Sequence, residues 1–258
     1  MDDLVLPEPR VPLPAGRLMT ADPSMSDETT AAQPYAPVFW MSERPVGGEV
    51  WAACRAEHPR SGLWPLLLLH DLRDGDGRPW EQGELTPTPV SAIDGYDVAD
   101  FMVKTWAEFE ELETFRRTRP GLAAPGVSVT DPDEAADRHA RLFDGQHGHL
   151  GLVPAARGAD ALTAIGWTGP CNHSDMPPLS AVLRSWESRF GARVVAVGFA
   201  TLYLSVAAPP STVEHALHVA AEHFAFCPDN IQQGGSPYTL EAYARELVGV
   251  DTWAFWWD

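Results

Sequence analysis

"RVVAVGFATLYLSVAAPP" (Arg193–Pro210) runs directly into "STVEHALHVAAEHFAF" (Ser211–Phe226), and this junction decides the fold class. The first stretch carries two runs of β-branched, aromatic and apolar residues either side of Gly198–Thr201, the pattern of two strands across a tight turn. In the second the apolar period changes to that of a helix. Val213, Leu217, Ala220 and Phe224 share one face, with Ala216 beside them. Ser211 or Thr212 would cap this helix, and Glu214 lies three residues beyond Ser211, as a capping box asks.

Working outward, "HLGLVPA" (His149–Ala155) reads as a strand and "RGADALTAIGW" (Arg157–Trp167) as a short helix. "PPLSAVLRSWESRFGA" (Pro177–Ala192) is a helix that begins on prolines and stops at Gly191. "SPYTLEAYARELVG" (Ser236–Gly249) is another, and "DTWAFWWD" (Asp251–Asp258) a final strand. The class is therefore α/β (α+β) with a mixed or antiparallel sheet. The order of elements matches a ferredoxin-like split βαβ pattern with added helices.

Before this C-terminal domain (residues 146–258) the sequence predicts a smaller N-terminal α/β lobe over residues 38–145. It holds a strand at "PVFWMSE" (Pro37–Glu43), a helix in "GGEVWAACRAEHPRSG" (Gly47–Gly62) and a buried strand at "LWPLLLLHD" (Leu63–Asp71). A longer helix is expected over Val98–Arg117, where Phe101, Met102, Thr105, Trp106, Phe109 and Leu112 recur at three and four residues. Residues 1–37, rich in Pro, Asp, Ser and Thr, read as a flexible or loosely docked arm. The acidic loop at Asp71–Glu84 lacks the ligand order of an EF-hand.

Charge narrows the function classes. Thirty-six acidic residues against 18 basic give a formal net charge of −18. Such a surface repels phosphate, so neither nucleic acid nor an anionic membrane is an expected partner; solubility is the plainest reading of the charge, and a basic protein is the partner it would admit. Lys104 is the sole lysine, and the Ala, Gly, Pro and Arg usage follows a GC-rich genome rather than chemistry. Cys54, Cys171 and Cys227 form no CxxC, and the start of the chain shows no signal-peptide pattern; a reduced, cytoplasmic protein is expected.

"GWTGPCN" (Gly166–Asn172), "LRSWESRFGARVVAVGFATLYLSVAAPP" (Leu183–Pro210), "AEHFAFCPDN" (Ala221–Asn230) and "WAFWWD" (Trp253–Asp258) together resemble a bacterial domain-of-unknown-function family, number 4253. The resemblance spans about Leu150 to Asp258. It implies a shared domain and supplies no activity. Where the family usually reads Gly-Trp-Asn, this chain has Gly166-Trp167-Thr168, with an asparagine at Asn172.

Candidate sites gather in these stretches. Cys227, with His223 as base and Asp229 nearby, has the residue types of a nucleophilic centre, but the plainer reading makes Cys227 a small apolar core residue and Pro228-Asp229-Asn230 the end of the helix. Cys171 and His173 with His223 and Cys227 would make a Cys₂His₂ set, but C-x-H is a poor zinc half-site and no metal is expected. His215, His218 and Glu222 share the polar face of their helix, where a solvated His–Glu pair is the simpler reading. Trp167, Cys171, Asn172, Trp256 and Asp258 are the candidates for binding. Trp253, Phe255 and Trp257 alternate with Ala254 and Trp256, so both faces of the last strand carry aromatics; burial of both faces is expected.

No G-x-S-x-G, H-E-x-x-H, P-loop or strand-linked G-x-G-x-x-G occurs. The expected function is a non-catalytic binding or interaction module without a cofactor, in its most specific form an immunity-like protein covering a basic partner. An enzyme built on Cys227 and a small-molecule sensor are the alternatives. Oligomeric state is left open.

Overall fold

In the computed structural model, residues 10–25, 36–70, 77–108, 121–146, 148–233 and 239–258 are described. Among the described residues seven strands form one sheet: β1 (Gly16–Thr20), β2 (Pro37–Pro45), β3 (Leu63–Leu68), β4 (His149–Pro154), β5 (Arg193–Val197), β6 (Thr201–Ser205) and β7 (Thr252–Trp256). Their order is β1-β2-β4-β3-β5-β6-β7, and every pair is antiparallel except β3 with β5.

The mixed α/β class holds, but the ferredoxin-like order does not. In that pattern the last strand would lie beside the first of its unit; here β7 pairs with β6 at the sheet edge, and β3 lies between β4 and β5. The reason is in β3 itself. "LWPLLL" is apolar at every position and buried at every position, so it is stable only with neighbours on both sides and cover on both faces. The Trp64 indole donates to the Val194 carbonyl at 3.0 Å, tying β3 to β5 ahead of their paired residues.

The helices are α1 (Gly48–Ser61), α2 (Val98–Glu108), α3 (Pro132–Ala140), α4 (Gly158–Ile165), α5 (Met176–Phe190), α6 (Val213–Phe226), α7 (Asp229–Gln232) and α8 (Leu240–Leu247). They cover the sheet from two sides. Tyr203 of β6 meets Phe143, just after α3, at 5.1 Å between ring centroids, while Trp253 and Phe255 of β7 meet Trp186 of α5 on the other face. Gly62 and Gly191 end α1 and α5 in the left-handed conformation, as their sequence positions predict. Thr212, not Ser211, caps α6 by accepting from the His215 N–H.

Two further expectations change. Gly16–Thr20 is an edge strand and not part of a loose arm: Met19 is buried, and Gly16 packs where any Cβ would strike the Trp40 ring. An edge strand needs only one apolar face, which the sparse apolar residues of this stretch supply. The helix expected over Val98–Arg117 is described to Glu108; the rest lies outside the described residues, as do 71–76 of the acidic loop. Among the described residues no helix is long and apolar enough to cross a membrane.

Candidate functional site

α6 ends at Phe226 with Cys227 as its C-cap, and the chain then turns through Pro228 into α7. This corner lies along the outer edge of β7. The Asn230 amide donates to the Ala254 carbonyl (2.7 Å) and its oxygen accepts from the Trp256 N–H (3.1 Å). The Cys227 thiol donates to the Trp256 carbonyl (3.0 Å), and an Asp229 carboxylate oxygen accepts from the Asp258 N–H (3.0 Å). Cys-Pro-Asp-Asn thus gives the edge strand the hydrogen bonds that another strand would have made.

That use is at odds with nucleophilic chemistry. Cys227 is buried, and burial pushes its thiol up to about 12, so it is a neutral thiol at physiological pH. His223 is also buried, and desolvation pulls it down to about 3. Its Nδ1 bonds the Tyr243 hydroxyl at 3.0 Å, not Cys227, and its ring lies 4.5 Å from Trp253, 4.9 Å from Phe255 and 5.0 Å from Trp186. It serves as a neutral aromatic in the core. Among the described residues no three His, Cys, Asp or Glu side chains are grouped to hold a metal ion.

The loop "GPCNHSD" meets the same end of β7. Its Asn172 amide donates to the Asp258 carbonyl (3.0 Å), and the His173 ring donates from Nε2 to the Ala225 carbonyl (3.2 Å). Cys171 stays exposed. Gly166, in the left-handed conformation, lets α4 end against Thr86. Trp167 follows as a buried strut: its indole donates to the Gly198 carbonyl (2.9 Å) and its ring stands edge-on to Trp257 at 5.6 Å. The motif residues therefore converge, and most of them are spent holding β7.

The far face of α6 holds a correction. His215, His218 and Glu222 are neither a metal triad nor a solvated face, because the segment Gly121–Gly126 lies across them. His215 donates to the Ala124 carbonyl and His218 to the Gly121 carbonyl, at 2.8 and 3.2 Å. Glu222 is buried and accepts from the Ala123 N–H (2.6 Å), the Trp186 indole (2.7 Å) and Arg189 (2.8 and 2.6 Å). Arg189 also donates to the Ala123 carbonyl (2.8 Å), so one ion pair holds both main-chain groups of Ala123. Arg189, Trp186, Tyr243 and Asn230 were not singled out by sequence reasoning. Their periodicity marked them as helix or turn positions, and nothing local announces the partner.

One motif aromatic has no such duty. Trp253, Phe255 and Trp257 are buried, against the expectation for both faces of the strand, Trp256 is 37% exposed and Ala254 beside it is exposed too. The strand has one packed face because α3 and the turn after it cover β5 and β6 but leave β7 open. Elsewhere, a depression of about 440 Å³ at the start of α1 is lined by Pro45, Val46, Gly47, Glu49, Val50, Asp144 and Gly145. Asp144 already accepts there from the Gly48 N–H at 2.7 Å, capping the helix.

Residues 149–258 match the family described as a domain of unknown function (DUF4253). The match begins with β4 and takes in every motif residue described above. No curated protein and no solved structure matches the chain.

Proposed function

We propose that the protein is a non-catalytic binding module whose docking surface is the open face of β7 with the adjoining end of β6, and that its partner is a basic protein. The observation that carries this reading is the division of labour in the terminal motif. Three aromatics pack inward, and the fourth, Trp256, stands outward on a strand whose far edge is already satisfied. Tryptophan is enriched among the residues that dominate binding energy at interfaces. The net charge of −18 supports a basic partner, which it would attract over long range and bind quickly. An immunity-like role is the most specific form of this reading, and it rests on charge alone.

The test is a photo-crosslinking amino acid placed at Thr201 of the full chain, expressed in the native host. The expected result is a crosslink to one basic protein that Trp256→Ala abolishes while the melting temperature stays put. A crosslinked partner captured equally well by Trp256→Ala would take the docking surface away from this face.

A further inference from the structure

The same face carries a second aromatic residue. Thr201 lies opposite Trp256 and Tyr203 opposite Ala254, so Tyr203 and Trp256 are diagonal neighbours on one side of the β6–β7 pair. Such diagonal positions are about 7–8 Å apart, and the other diagonal is filled by the small side chains of Thr201 and Ala254. Two aromatic side chains thus stand on one side of the strand pair, with only small side chains on the other diagonal. Both positions are held. Phe143 stands edge-on against Tyr203 at 72°, and the Trp256 main chain is held on both its N–H and its carbonyl.

Charge favours a cation: the chain carries a net charge of −18, and Asp258 follows two residues after Trp256. Resting on the binding-module reading, we propose that the sheet face carrying Tyr203 and Trp256 seats a cationic side chain of the basic partner against the exposed indole, arginine in preference to lysine. A planar guanidinium can stack on an indole face, whereas an ammonium offers only a point charge. The chain uses this contact internally: the Arg78 guanidinium lies 4.6 Å over the Phe199 ring and that of Arg189 5.0 Å over Phe190.

The experiment uses the full chain and three short peptides of one sequence, containing two arginines, two lysines or two citrullines, with affinity measured by calorimetry at fixed salt. Trp256→Leu and Tyr203→Leu preserve net charge and apolar bulk. The expected result is arginine over lysine over citrulline, with at least a threefold loss of arginine-peptide affinity in Trp256→Leu and a smaller loss in Tyr203→Leu. An affinity unchanged by Trp256→Leu would show diffuse attraction to an acidic surface and overturn the proposal. So would citrulline binding as well as arginine. Either failure would leave the binding-module reading standing, since that reading is decided by the crosslink at Thr201 and its loss in Trp256→Ala.

Discussion

Asn230 stands to Trp256 as a neighbouring strand would: its side-chain oxygen accepts the Trp256 N–H at 3.1 Å while its amide donates to the Ala254 carbonyl at 2.7 Å. Removing that side chain uncovers two main-chain groups on a sheet edge. A satisfied hydrogen bond contributes about 0.5–1.5 kcal/mol net, and leaving partners unsatisfied costs more. Asn230→Ala should therefore lower stability by about 1–3 kcal/mol. Denaturant unfolding reads the loss, and hydrogen exchange should show it localised at the Trp256 amide. Unchanged protection at Trp256 would refute the strand-cap role.

The thiols should separate cleanly. Cys54 and Cys227 are buried, and burial pushes them up to about 11 and about 12, whereas Cys171 is exposed. Native protein treated with iodoacetamide at pH 7.5 should lose one thiol, Cys171 by peptide mapping. Rapid alkylation of Cys227 would restore the case for a reactive centre there.

Acid should destabilise the fold through its buried histidines. His223 is pulled down to about 3 and His139 to about 4, both from a usual 6.5, and desolvation is the main cause in each. In the unfolded chain these rings take up protons as pH falls through 6.5; in the folded protein they resist until much lower. Stability is then complete above pH 6.5 and falls from there to about 4 through His139 and to about 3 through His223, each histidine adding a slope of up to about 1.4 kcal/mol per pH unit. His223→Phe should flatten the curve by nearly one proton. An equally steep curve in that variant would mean His223 is not held neutral.

How far the sequence discloses this molecule depends on the range of the interaction. β5, β6 and α6 were legible because a tight turn and a change of period from 2 to 3.6 are local signals. The place of β3 between β4 and β5 was not, since periodicity says that "LWPLLL" must be buried but not between which strands. Glu222 was read as solvated because its cover, Ala123, lies 99 residues away. Asn230 was in plain view, yet its acceptor on Ala254 belongs to a strand that follows another helix. Aromatics on both faces of "WAFWWD" led to an expectation of burial on both, because composition cannot show that only one face finds a helix to pack against.

The clasp over α6 should behave as one buried charged unit. Breaking a buried ion pair by removing one partner costs roughly 3–5 kcal/mol, because the survivor stays buried without compensation. Glu222→Gln should approach that loss although its shape is conserved, since Arg189 would then face a neutral amide. Limited proteolysis should also cut near Gly121–Gly126 sooner than in the parent. A Gln variant as stable as the parent would show that the segment is held by packing alone.

Two alanine variants compared by thermal melting separate Trp256, proposed to be free for a partner, from its neighbour Trp257, which belongs to the core. Truncating a buried tryptophan typically costs about 3–5 kcal/mol, which for a chain of this size lowers the melting temperature by at least about 6 °C. Trp257→Ala should show that loss. Trp256→Ala should melt within about 2 °C of the parent, as surface substitutions usually change stability by no more than about 0.5 kcal/mol. Equal destabilisation by the two would place Trp256 in the core and remove the docking face altogether.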